Sequence, residues 1–404
     1  MNWIGFVRLL RNIYGPGLPD LDAIQRQGLL AVKIGQVFAL RIDFLDQEKC
    51  RHLANLYRNT VRTPSEEVRR LLKLYCGKDF LRHFIHIDDQ ALASASVGQV
   101  HRARTSTGDE VVIKLIKGDF KKNFVRDVRS IKRLFQTVIF FYPKLRSVAD
   151  PVGILEHIED YTLSELNLLN ELRGQNILRN ISLQHRDTYN LSRLRFARYY
   201  DELCSENVLV AEFVPGKTFD ELLHEGKLDY EALLELFHIH GFYMFCVGTF
   251  HGDIHPGNVI LSNGTICFVD TGAISRVGDK IRRGLFNFFK ALALWDYGEC
   301  ARCLNSMSER ELEGRSFEQF REKFIRLYAD FTRSTVSQVS LTKKMMDTIK
   351  LGVHSGMEFE QGMFGIIKSL MYLDGMVLRC NPHAVLLHDM RRFIEETEQF
   401  VVKS

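Results

Sequence analysis

The sequence predicts an α+β fold built from a helical N-terminal segment, a small mixed sheet and a mostly helical remainder. Three observations carry this. Residues 1–85 carry helical signals almost throughout. Short apolar, β-branched runs at Glu110-Val-Val-Ile-Lys114-Leu-Ile and Asn207-Val-Leu-Val-Ala-Glu212 follow and have the length and composition of buried strands. Beyond Gly272, apolar residues recur at helical spacing, as in Leu285/Phe288/Phe289/Leu292 and Phe317/Phe320/Phe324/Leu327, which reads as helix core. The expected division is 1–85, 86–216 and 217–404.

Taken in order, the first 14 residues set Trp3, Ile4, Phe6, Val7, Leu9, Leu10 and Ile13 beside Arg8 and Arg11. This basic amphipathic stretch suits a membrane surface or packing on the chain itself. Gly-Pro-Gly-Leu-Pro-Asp at 15–20 breaks it. A second helix is expected over 21–44, and Thr63-Pro64-Ser65-Glu66 has the form of a capping box opening a helix to Tyr75. Strand patterning starts at Ala91 and runs through a small-residue loop, Ala93-Ser94-Ala95-Ser96-Val97-Gly98, to Lys114. With one glycine in place of several, that loop is stiff, and its backbone N–H groups have little freedom to wrap phosphates. A charged segment then leads into a helix to Tyr142. A longer helical stretch after Asp150-Pro151 holds Glu165 and Glu171 on different faces. One of the two can pair with Lys114, and the other needs a different role. The strand ending at Glu212 leads through Val214 to Gly216, a linker whose backbone can hydrogen-bond a base, and residues 218–247 supply two helices.

The most specific chemistry lies between His251 and Gly272. His251-Gly-Asp253-Ile-His-Pro-Gly-Asn258 sets an Asp and an Asn five positions apart, with Asp270 beyond two short strands joined by Asn263-Gly264. Asn-Gly between apolar runs is a tight-hairpin signal, and that hairpin returns Asp270 beside Asn258. Three hard oxygen donors converging on one point suit magnesium carried in on a nucleotide.

Composition bounds the rest. At 404 residues and 46% hydrophobic the chain can bury a large core, and a net charge of +4 does not indicate nucleic-acid binding. Eight scattered cysteines form no disulfide-like framework and no signal peptide precedes them, so a reducing, cytoplasmic compartment is expected. Cys300 and Cys303 read as helix packing rather than a zinc site. No apolar run is long enough to span a membrane; Leu236–Phe250 is expected as a buried helix leading into the catalytic loop.

Together these motifs resemble the UbiB (AarF-like) family of atypical kinase-like ATPases. The likeness rests on Lys33-Ile-Gly-Gln36 for the family's KxGQ, the Ala93–His101 loop, Lys114, Glu165-Leu-Asn167 for its ExD helix, and the segments ending at Asn258 and Gly272. It spans residues 20–275. The resemblance implies a bilobal protein-kinase-like fold, with the N-terminal helices packed over the active site. It implies ATP (or ADP) and Mg2+ as ligands. The 93–98 loop, Lys114, Glu212 and Val214 would bind nucleotide. Asp253 would orient the nucleophile, Asn258 and Asp270 hold the metal, Glu165 fix Lys114, and Lys33 and Gln36 gate the site. Family members support ubiquinone or other isoprenoid-lipid biosynthesis, so a membrane surface or isoprenoid lipid is an expected partner, peripherally at the inner membrane. Three departures stand out: Asn167 for Asp, Ser94 within the alanine run, and Thr271 for the Phe of Asp-Phe-Gly. A small-molecule phosphotransferase resembling aminoglycoside or choline kinases and a non-catalytic nucleotide-gated scaffold are the competing readings.

Overall fold

The computed structural model describes residues 1–39, 45–57, 62–141, 151–360 and 362–403. It divides into two compact units, Met1–Asn170 with Arg198–Phe213, and Glu171–Ala197 with Val214–Ser404.

In the first unit the opening helix is Trp3–Tyr14, capped by the Asn2 side chain and burying Phe6, Leu9 and Ile13. The expected 21–44 helix is instead two, Leu21–Arg26 and Leu29–Ala39. Between them Gly28 takes φ +98°, a left-handed conformation that ends a helix. Residues 40–44 lie outside the described residues. The capping box is also corrected. The helix Ser65–Cys76 starts after Pro64 without a side-chain cap, because both backbone groups of Thr63 are taken by Gln99 (Thr63 N to Gln99 Oε1, 2.9 Å; Gln99 Nε2 to Thr63 O, 3.0 Å).

Strands begin at Phe84 rather than Ala91. A four-stranded sheet runs β1 (Phe84–Ser94), β2 (Gly98–Thr105), β3 (Glu110–Ile116), β5 (Val208–Glu212), antiparallel throughout. The pleat has period two. Val111, Ile113 and Leu115 therefore point into one core with Val68, Leu71 and Leu72 of the helix Ser65–Cys76, and Lys114 stands on the other face. A second core joins the N-terminal helices to Phe124, Val128 and Ile131 of the helix Phe120–Phe141; Tyr142 and Asp150 lie outside the described residues. Glu165 and Glu171, expected on one helix, belong to two. Pro151–Glu165 ends at Glu165, and Leu169–His185 begins afresh, with the Leu168 amide turned to Glu206 O (2.8 Å) and the Leu169 amide capped by Asn167 Oδ1 (3.1 Å).

In the second unit the helix Tyr230–Gly241 passes into a π-helical turn, Phe242–Val247, and stops at Gly248 (φ +76°). Phe250, expected in that helix, lies in β7 (Thr249–His251). Gly272 is followed by a short strand, β10 (Ile274–Arg276), which pairs antiparallel with β7 before the helices resume. β8 (Val259–Ser262) and β9 (Thr265–Phe268) form the expected hairpin, with Asn263 and Gly264 at φ +49° and +78°, the signs a primed turn requires. β4 (Leu194–Arg195) and β6 (Lys217–Thr218) flank it, β4 parallel to β9. The helices that follow, Asp279–Ala293, Tyr297–Met307, Gly314–Leu327, Leu341–His354, Gly362–Cys380, Leu386–Asp389 and Arg391–Lys403, enclose a core holding Leu285, Phe288, Phe289, Leu292, Phe320 and Phe324. Cys300 and Cys303 are buried free thiols in that packing, and burial pushes the Cys303 thiol up to about 12.

Candidate functional site

In the first unit each motif residue has a local physical task. Lys33 is 5% exposed, and its ammonium is ion-paired with the Glu165 carboxylate with the Tyr161 ring 5.7 Å away. The residue expected as a gate and the residue expected to fix Lys114 are therefore partners of each other. Gln36 donates Nε2 to Leu56 O (3.1 Å). A Cβ at Gly35 would lie 2.6 Å from Leu56 Cδ1, so a larger residue there would make the Leu56 side chain shift. Lys114 sits opposite Val100 and Leu209 in the sheet.

The 93–98 loop is tied down from several sides. Ala95 N donates to Gly98 O (2.8 Å) and Lys117 N to Val97 O (2.9 Å), while Lys117 Nζ donates to Ser94 Oγ (3.2 Å). Burial lowers the Lys117 ammonium from its ordinary value. Ser94, a departure from the family pattern, is thus the point at which Lys117 grips the loop. Gln99 and His101 are scaffold. His101 Nδ1 faces Asp88 O (2.8 Å) and so carries the proton, which leaves Nε2 to accept from Gln99 Nε2 (2.8 Å). Glu212 Oε2 accepts from Arg198 N (3.1 Å), and Phe213 N donates to Glu110 O (3.0 Å), closing the end of β5. Val214 opens the second unit, buried with Ala197 and Cys267.

In the second unit the hairpin register pairs Val259 with Phe268, and Val269 N donates to Asn258 O (3.0 Å), which brings Asp270 beside Asn258. Asn258 Nδ2 donates to Asp253 O (2.9 Å), which leaves Oδ1 as the amide atom that could coordinate a metal. Asp270 has φ +54°, an uncommon conformation for a residue with a side chain. It is held from both sides. Val269 is bonded to Asn258, and Thr271, fully buried, donates Oγ1 to Glu171 O (2.7 Å). The hydroxyl replaces the expected apolar anchor with a hydrogen bond.

His251 completes the clasp. Its Nδ1 accepts from Asp253 N (3.1 Å) and its Nε2 meets Val269 O (3.0 Å). One contact needs a bare nitrogen and the other an N–H, so the ring is the neutral Nε2–H tautomer. Burial above all, with Lys368 adding to it, holds the imidazole below its ordinary value. The Val269 carbonyl and the charges of Asp253 and Asp270 oppose the shift.

Asn258 and Asp270 suit magnesium better than a softer metal, since both offer oxygen. Among the described residues no group of three or more His, Cys, Asp or Glu side chains is placed to hold an ion. A site of two protein oxygens fits an ion that completes its shell with phosphate and water.

Three residues have roles that the sequence does not assign. Gly174 lies against Thr271, and a Cβ there would be 1.9 Å from Thr271 O; a glycine inside a helical pattern was the available signal. His251 was visible only as part of a motif. Lys368 Nζ lies 2.8 Å from Asp253 Oδ1, and nothing local in the sequence marks it.

A small antiparallel sheet with a strand lysine, and a helical unit carrying an Asp–Asn loop and a following Asp, define a protein-kinase-like protein. Residues 55–304 match the model of the ABC1 atypical kinase-like domain, and the chain belongs to that family. It is 27% identical over 401 residues to a probable protein kinase UbiB of Tolumonas auensis, covering 96% of this chain and 72% of that one. It is 25% identical over 395 residues to an uncharacterized chloroplastic aarF domain-containing protein kinase of Arabidopsis thaliana, covering 91% and 72%. The structure of the Rv3197–erythromycin complex from Mycobacterium tuberculosis has the same fold, with a TM-score of 0.53 at 18% identity over 94% of this chain and 95% of that one.

Proposed function

We propose that this chain is an ATP-binding, magnesium-dependent atypical kinase or ATPase that supports ubiquinone or other isoprenoid-lipid handling at a membrane surface. The observation that carries the reading is the clasp of the second unit. His251 and Asn258 tie the Asp253 segment to the Asp270 segment through four hydrogen bonds, the preorganisation that phosphoryl transfer demands. Asp253 orients a water or acceptor hydroxyl. Asn258 and Asp270 hold magnesium, which draws charge off the phosphates when bound with nucleotide. Lys114 pairs with the α- and β-phosphates, the 93–98 loop and the Glu212–Val214 linker hold the nucleotide, and Lys33 and Gln36 gate it.

With the Ala95 amide already committed to Gly98 O, the 93–98 loop has less freedom to wrap phosphates than a glycine-rich loop. Among the described residues no helix is long and apolar enough to cross a membrane, while Trp3 and Ile4 are exposed on the first helix, which supports attachment to a membrane face.

Phosphate release from ATP and Mg2+, with and without anionic liposomes, tests this beside Asp253→Asn. Loss of a group that orients the nucleophile is expected to lower turnover at least about 100-fold, with nucleotide affinity within about threefold because binding does not use that carboxylate. Turnover retained in the variant refutes the assignment of Asp253. Nucleotide bound without turnover by the wild-type chain moves the reading to a nucleotide-gated scaffold.

A further inference from the structure

The segment His251–Asn258 contains no lysine or arginine, yet a transferring phosphoryl group needs positive charge placed where its negative charge gathers. The second unit supplies one from its helix Gly362–Cys380. Lys368 Nζ lies 2.8 Å from Asp253 Oδ1. That oxygen is buried and takes no hydrogen bond of ordinary geometry among the described residues, so the ion pair is its compensation.

The placement is built into the packing. A Cβ at Gly365 would meet Ser275 Oγ at 2.7 Å, and one at Gly252 would meet the same oxygen at 2.4 Å. The helix and the Asp253 loop thus close on one serine from two sides, each through a missing side chain. Lys368 follows Gly365 by three positions and Tyr372 follows by seven, the spacing of one helical face. Tyr372 packs edge-on against His255 of the loop, with ring centres 5.3 Å apart. Gly365, Lys368 and Tyr372 therefore form one face that grips Ser275, Asp253 and His255 in turn.

We propose that Lys368 is a catalytic residue, the cation that contacts the transferring phosphoryl group beside Asp253; this rests on the ATP-dependent reading above. An ammonium has three N–H donors, so it can bridge the carboxylate and a phosphoryl oxygen. In the transfer, the bond from the γ-phosphorus to the ADP oxygen breaks with its electron pair leaving on ADP. The bond to the nucleophile's oxygen forms, and the nucleophile's proton passes to the Asp253 carboxylate. Lys368 makes and breaks no covalent bond. It balances charge on the phosphoryl oxygens and keeps Asp253 aimed.

The test uses the full chain with ATP·Mg2+ and the variants Lys368→Met and Lys368→Arg. Lys368→Met is expected to lower kcat about 100-fold with KM within about threefold, and Lys368→Arg to recover about tenfold of that loss, since it restores the charge and not the point geometry. A Lys368→Met enzyme within about threefold of wild-type kcat, or variants whose loss only tracks their folded fraction, overturns the proposal. A second readout does not need turnover or a variant: acetylation of Lys368 by an amine-reactive ester, followed by mass spectrometry. ATP·Mg2+ is expected to slow it about tenfold by contact with the amine. If the wild-type chain binds nucleotide without hydrolysing it, the hydrolysis reading falls alone. Protection then upholds Lys368 as a phosphate contact, and its absence overturns that role. A chain that binds no nucleotide overturns both.

Discussion

Lys33 and Glu165 differ in burial, with side chains 6% and 29% exposed, so removing either partner has unequal consequences. Lys33 taken away leaves a carboxylate that water still reaches, whereas Glu165 taken away strands a buried ammonium. Breaking a buried pair costs about 3–5 kcal/mol, and partial exposure places Lys33→Met at about 2 kcal/mol by denaturant unfolding, with Glu165→Gln above it and the double variant below the sum of the two. Additive losses would show that the pair is not coupled. His240 presents a second charge problem. It is 1% exposed, neither ring nitrogen has a hydrogen-bond partner among the described residues, and its ring meets Phe250 edge-on at 5.7 Å. Burial, aided by His251 nearby, pushes it down from 6.5 to about 3. His251 is lowered as well. Both are depressed in the folded state, so the unfolded chain takes up the protons first. Their stability contribution is complete above about 6.5 and is lost as pH falls below it, by about 1.4 kcal/mol per pH unit per proton. His240→Leu is expected to flatten the stability slope between pH 6.5 and 5 by one proton without loss at pH 7.5. An unchanged slope would place the proton uptake elsewhere.

At the scale of elements, the Asp270 turn depends on how closely the helix Leu169–His185 approaches it. Gly174→Ala puts a methyl group 1.9 Å from a backbone oxygen, which cannot swing aside as a side-chain tip does. Overpacking of this kind costs about 1–3 kcal/mol. Because the atom displaced belongs to Thr271, one residue from Asp270, turnover is expected to fall about tenfold or more, beyond any drop in folded fraction. A variant that loses stability alone would separate the packing from the site. The β8–β9 hairpin was legible in the sequence because an Asn-Gly turn and two apolar runs specify register locally, and the strand lysine because it interrupts a continuous apolar, β-branched run. The helix ends were less so. Gly28 stopped a pattern that apolar spacing carried through to 44, and Thr63 has the letters of a capping box while Gln99, 36 positions on, takes both of its backbone groups. Asn167 stands out in the sequence only as a departure from the family's Asp. Its Oδ1 instead caps the Leu169 amide, at the break that assigns Glu165 and Glu171 to different helices, so the six-residue spacing measured nothing about a shared face.

Across the whole molecule a net charge of +4 conceals an uneven surface. On the helix Phe120–Phe141, Phe124, Val128 and Ile131 are buried, and Phe135 meets Phe6 of the N-terminal helix edge-on. The opposite face carries exposed Lys122, Arg126, Arg129 and Arg133 at intervals of four, three and four, ending at Phe140, which is 80% exposed. Arg126 has Asp127 at 3.7 Å; among the described residues the other three have no ion pair. In the sequence this stretch shows only as a charged segment leading into a helix, since charges of one sign reveal a face only once the buried face is known. Cations in a row with an aromatic at the end are what an anionic bilayer attracts, each basic residue near the surface contributing about 1 kcal/mol. Charge reversal of Lys122, Arg129 and Arg133 is therefore expected to lower partitioning onto phosphatidylserine vesicles by about two orders of magnitude or more at low ionic strength. Trp3→Ala should weaken binding less, and with little salt dependence, since an aromatic at the interface acts without charge. Sedimentation with vesicles at two salt concentrations measures both. If the charge-reversed chain still binds, while Trp3→Ala releases it, the membrane is held through the N-terminal helix rather than the cationic row.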